Sequence, residues 1–165
     1  MRELFESTIE RLLADLSTSE CVRSAENGVW PGWQDLFVVA RAAGRHMAPV
    51  PLVEMLLANW LLGLAGIEAS DGIVTIAPEG TLEWSGDRVS GELAQVPWGR
   101  YANSVVAVVT EGQQASVVLL QTAGANSLHE GTNIAGEPRD TMVFSSALPA
   151  ASGNLPETLS ASTLG

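Results

Sequence analysis

The chain has 165 residues, 46% hydrophobic and only 16% charged, which excludes a disordered chain and leaves enough apolar side chain for a real core. Nineteen acids oppose eight arginines, with no lysine, for a net charge of −11. That balance excludes a basic phosphate-binding face and a nucleic-acid role; it suits a soluble protein that stays off anionic surfaces.

The single cysteine, Cys21, rules out an internal disulfide and any cysteine-built metal centre. The start, Met1-Arg2-Glu3-Leu4-Phe5-Glu6, has acids and no apolar signal core, so the expected compartment is the cytoplasm. The longest apolar stretch, Met55 to Ala65, is broken by Asn59 and Gly63 and is too short to span a bilayer.

In chain order, Phe5, Ile9, Leu12, Leu13 and Leu16 recur at steps of three and four and predict a one-sided amphipathic helix. Residues 17–32, rich in Ser, Asn and Gly, read as a connection. A second helix is predicted from Trp33 or Gln34 to Ala43, with Gly44 as its C-terminal cap. After the stiff Ala48-Pro49-Val50-Pro51 break, Pro51 suits the first position of a third helix. Leu52, Met55, Leu56, Trp60 and Leu62 go most of the way round that helix, which predicts burial on several sides.

The character changes at Asp71-Gly72, a turn signal before the strand Ile73 to Ala77. Gly80, Gly86 and Gly91 punctuate short β-like pieces. Ser104 to Thr110 and Ala115 to Leu120 read as a hairpin about Glu111-Gly112-Gln113-Gln114, and Thr141 to Phe144 as a further strand. The predicted class is therefore α+β: a helical segment over 1–66 packed on a small antiparallel β-sandwich or barrel over 71–147, then a linker or tail over 148–165. No internal repeat is present.

No catalytic or metal motif stands out. The only histidines, His46 and His129, lie in different segments, and neither Gly-x-Ser-x-Gly nor His-Glu-x-x-His occurs. Glu54 suits the favourable N-terminal dipole of its helix. Glu137-Pro138-Arg139-Asp140 is the densest charged cluster of the β segment. It reads as a turn with a local Arg–carboxylate pair, or as a contact to a ligand or partner chain. Trp30, Trp33 and Trp60 read as helix packing; Trp98 is a candidate to line a site.

Three stretches resemble the acyl-CoA dehydrogenase family. Ala43-Gly44-Arg45-His46-Met47-Ala48-Pro49-Val50-Pro51-Leu52-Val53-Glu54 is similar to the family's "GR-x-x-AP-x-PL-x-E" passage between two N-terminal helices. Val89-Ser90-Gly91 through Gly99-Arg100-Tyr101-Ala102-Asn103 resembles its middle-domain pattern N-G-x-K-x-W-I-(S/T)-N-G-x-x-A-D. Asn133 to Thr141 is similar to the connection before a late middle-domain strand. The resemblance implies a helical domain, a middle β-domain and a C-terminal helical domain, with FAD between the last two beside an acyl-CoA thioester. Flavin would supply the electron chemistry in an α,β-dehydrogenation, and a carboxylate of the C-terminal domain the base.

The sequence departs from that pattern. The flavin-flanking Trp-Ile-Thr aligns with Gln95-Val96-Pro97, and Pro97 has neither hydroxyl nor N–H to give to a flavin. The Thr-Glu-Pro-x-x-Gly-Ser-Asp loop has no clear counterpart near Ala77-Pro78-Glu79-Gly80. Gly165 falls about where the family's last domain begins, so no catalytic residue is assigned within the chain. Gln95, Val96, Pro97 and Trp98 are the candidate FAD-binding positions, and no residue is assigned to a metal. Two functions stay open: part of a flavin-dependent acyl-CoA dehydrogenase, inactive as this chain alone, or a non-catalytic structural partner that has lost flavin. Either implies a homo-oligomer or a complementary acyl-CoA dehydrogenase chain.

Overall fold

The computed structural model describes residues 40–41, 44–45, 50–68, 72–112 and 114–156. The predicted first helix, Cys21, His46 and Trp30–Trp33 lie outside these residues. Ala40, Arg41, Gly44 and Arg45 are helical, so Gly44 is itself helical where a cap is expected. A glycine inside a helix costs only about 1 kcal/mol, which packing readily offsets.

Helix α1 spans Leu52–Leu64, with Pro51 one position earlier than expected, at its N-cap. Glu54 sits in the first turn, where a carboxylate is favoured. Apart from exposed Gly63, every residue of α1 is buried or half-buried. Leu52, Ala58 and Leu62 are buried, while Val53, Leu56, Leu57 and Trp60 are half-buried.

Two sheets follow. The first has the order β1(Val74–Ile76), β5(Ser104–Glu111), β6(Gln114–Gln121), β9(Ala151–Asn154). The second has the order β2(Glu79–Gly80), β4(Arg88–Pro97), β8(Arg139–Ala147), β7(Ser127–His129), with β3(Glu83–Ser85) also paired to β4. The α+β class holds, and all strand pairs are antiparallel except β1–β5, which is parallel. The intervening β2–β4 segment crosses to the other sheet, and a crossover of that length is what parallel pairing needs. A second correction concerns residues 148–165. Residues 151–154 form β9 against β6, and Leu155 is buried, so part of the expected tail completes the first sheet.

The hydrophobic pattern of β5 and β6 explains the layering. Val105, Ala107, Val109, Val118 and Leu120 face the second sheet and meet Val89, Leu93, Val96, Met142 and Phe144. Val106, Ala115, Val117 and Leu119 face the other way, onto Ala58 and Leu62 of α1 and onto Leu155. Burial on both faces is why these strands read as continuous apolar runs. β8 is covered on one face and alternates instead, with Asp140, Met142 and Phe144 inward.

Gly91 lies inside β4 at φ 143°, and a Cβ there would collide with the Thr81 carbonyl oxygen of the neighbouring edge. Gly91→Ala is expected to lower unfolding stability by about 1–3 kcal/mol, measured as a lower denaturant midpoint at unchanged slope.

Candidate functional site

β4 ends in irregular backbone. Its pairing with β8 shifts register between Leu93 and Val96, and Gln95 occupies the shift at φ 54°. Trp98, at φ 55°, then turns the chain into a short 3₁₀ helix, Gly99–Tyr101. Two non-glycine residues in the left-handed region within four positions store backbone strain, each held there by surrounding structure.

The four candidate flavin positions are divided by this geometry. The Val96 side chain is fully buried in the core between the sheets. Pro97 is buried, and its carbonyl accepts a hydrogen bond from the buried Thr75 hydroxyl at 2.7 Å. That bond ties the first sheet to the end of β4 in the second. Gln95 is exposed, and Trp98 is half-buried with its ring 6.1 Å from that of exposed Tyr101, tilted by 50°. The structure therefore places Gln95 and Trp98 toward the outside and commits Val96 and Pro97 to the interior.

Fit to a flavin is testable on these atoms. Pro97 offers no N–H, and its carbonyl is already engaged by Thr75. Val96 offers only an alkyl group, pointed into the core. Two of the four candidate positions thus have no free side-chain group to present to a flavin ring, while Gln95 and Trp98 remain on the outside.

The strongest polar constellation nearby is one that sequence reasoning missed. Arg100 and Asp140 meet across 40 positions. The Arg100 backbone N–H donates to Asp140 Oδ2 at 2.7 Å, and its Nη2 donates to Oδ1 at 2.6 Å and to the Gly131 carbonyl at 2.9 Å. The Gly131 N–H donates to Asp140 Oδ1 at 3.2 Å. Arg100 Nη1 also pairs with exposed Glu130. Gly131 is required here, because a Cβ would collide with the Arg139 carbonyl. The group joins the 3₁₀ helix, the β7–β8 connection and β8 into one corner.

Burial alone would raise the Asp140 carboxyl. The Arg100 side chain, and then the backbone N–H groups of Arg100 and Gly131, outweigh burial and hold it below the ordinary carboxylate value. Arg100, bonded to Asp140, is raised above its ordinary value. Both Asp140 oxygens are engaged within the chain, so the pair reads as a structural latch rather than a reactive group.

The sequence cluster Glu137-Pro138-Arg139-Asp140 resolves into two parts. Glu137 and Arg139 form the local pair at 3.0 Å, and Glu137 also closes a turn with Asn133. Asp140 turns inward to Arg100. His129 is exposed on β7, and Glu54 lies on α1. Among the described residues, no three His, Cys, Asp or Glu side chains gather as a metal site, and no helix is long and apolar enough to cross a membrane.

No family model matches the sequence, and no curated protein matches it. Solved structures do. One, described as the Tcur3481-Tcur3483 steroid ACAD G363A variant, is 24% identical with a TM-score of 0.60, covering 78% of this chain and 42% of its own. Another, the ChsE4-ChsE5 complex from Mycobacterium tuberculosis, is 19% identical with a TM-score of 0.61, covering 94% of this chain and 48% of its own. The chain thus spans less than half the length of these structures. It shares with them an acyl-CoA dehydrogenase-like fold.

A depressed Asp140 contributes stability that is complete above the ordinary Asp value of about 3.9 and is lost as pH falls below it through the folded value. Asp140→Asn is expected to cost about 1.5–3 kcal/mol at neutral pH and to flatten the loss of stability below about pH 4, read by denaturant melts across pH.

Proposed function

We propose that this chain is a non-catalytic structural subunit of an acyl-CoA dehydrogenase-like assembly, contributing a helix-and-sandwich body without a flavin-binding wall of its own. The observation that carries this reading is the end of β4. Val96 is consumed by the core, and Pro97 has no donor and a carbonyl held by Thr75. Reopening that segment toward a flavin would break a bond between the two sheets and expose a core valine.

The kind of partner follows from the same reading. One of the structurally similar proteins is a complex of two components, ChsE4 and ChsE5, and the other carries a paired designation and is described as a steroid ACAD. These support a complementary acyl-CoA dehydrogenase-like chain as the partner, with that chain supplying flavin contacts and base. In such an assembly an acyl-CoA thioester is the substrate class, and this chain's role is to shape and stabilise the active subunit.

The test is flavin stoichiometry and turnover of the full chain by itself. After incubation with FAD and desalting, the chain is expected to be colourless and to show no oxidation of a saturated acyl-CoA thioester with an added electron acceptor. Stoichiometric flavin retained by this chain would overturn the reading.

A further inference from the structure

β9 is one of the two edges of the first sheet, flanked by Pro149 and Pro156, and among the described residues β6 is its one strand partner. Exposed sheet edges are normally blunted by charge, proline or a bulge. The second sheet follows that rule on one side, with Glu79 on β2 and Glu83 on β3. β9 is Ala151-Ser152-Gly153-Asn154, with no charge and no proline within it.

Its hydrogen-bond phase can be read directly. The Leu155 N–H donates to the Ala115 carbonyl at 2.9 Å, in register with the Val117–Gly153 and Leu119–Ala151 pairs. In an antiparallel ladder the alternate residues face away. The backbone N–H and C=O groups of Ser152 and Asn154 therefore point off the sheet, and both residues are exposed.

A groove of about 690 Å³ runs along this strand. All four β9 residues line it. Trp84, Asp87, Glu111 and Leu148 also line it. Trp84 is half-buried, and Leu148 is 59% exposed, an apolar side chain left uncovered. Asp87 and Glu111 are exposed, and no arginine lines the groove. The cation nearest in sequence, Arg88, donates to the Ser146 carbonyl instead.

We propose that β9 and this groove take an extended segment of another protein, bearing lysine or arginine beside apolar residues, as an added strand. Ser152 and Asn154 supply the main-chain bonds, and Trp84 and Leu148 the apolar contact. Asp87 and Glu111 supply the charge selection. A second copy of this chain is the poorer occupant, because its own acidic groove would be brought against this one, and the net charge of −11 opposes it. None of Gln95 to Trp98 lines the groove, so the proposal stands independently of the flavin reading.

The probe is an end-capped pentapeptide of alternating valine and lysine, titrated into the full chain and followed by backbone amide NMR. Binding is expected to move the amide signals of Ser152 and Asn154, and the same peptide with glutamate for lysine to bind roughly tenfold more weakly or worse. Ser152→Pro removes an outward donor at an edge position that tolerates proline, so it should keep the fold and abolish binding. The double variant Asp87→Asn with Glu111→Gln should keep the fold and weaken the lysine peptide selectively; it carries the test should Ser152→Pro fail to fold. No binding of the lysine peptide, equal binding of both peptides, or full binding by a folded Ser152→Pro chain would each overturn the proposal.

Discussion

The β5–β6 hairpin has no solvent face, and the rest of the fold is arranged to make that so. Its inward residues on one side need a second sheet, which β4 and β8 provide through Leu93, Val96, Met142 and Phe144. Its residues on the other side need a helix, which α1 provides through Ala58 and Leu62. Each buried Val or Leu contributes about 1.5–3 kcal/mol relative to exposure, so a hairpin this apolar cannot be left half-covered. The same demand recruits β9 and Leu155, whose sequence has little strand preference of its own.

That hierarchy decides what was legible in the sequence. β5 and β6 were legible to within a residue or two, because their valine runs are intrinsic β formers on either side of a turn. The core half of β8 was legible for the same reason. β9 was not, since Ala-Ser-Gly-Asn is a loop composition made into a strand by pairing with β6. The parallel β1–β5 pair was also hidden, because pairing direction depends on where residues 77–103 travel and not on any local pattern. The predicted first helix lies outside the described residues.

The Arg100–Asp140 latch was missed for a different reason. The charged run at 137–140 drew attention to neighbours in sequence, where Glu137 and Arg139 do pair. A signal for the longer pair was present. Asp140 precedes Met142 and Phe144 by steps of two, so strand alternation places its carboxylate in the core, where a lone charge is costly. Arg139 points to the other face of β8. Only Arg88 and Arg100 then remain as cations in the β segment.

The same economy separates the two surfaces of the sandwich. At the end of β4, strain at Gln95 and Trp98 and a proline at position 97 coexist with satisfied buried groups: Thr75 takes the Pro97 carbonyl, and Arg100 and Gly131 take Asp140. The buried polar groups of this corner are spent on holding its elements together. At β9 the reverse holds. The backbone is unstrained, yet two residues turn their main-chain groups outward beside an uncovered leucine and two carboxylates. Unspent hydrogen-bonding capacity next to exposed apolar surface is what a partner can use. The physical contrast between these two places assigns the first to holding the fold together and the second to contact with another chain.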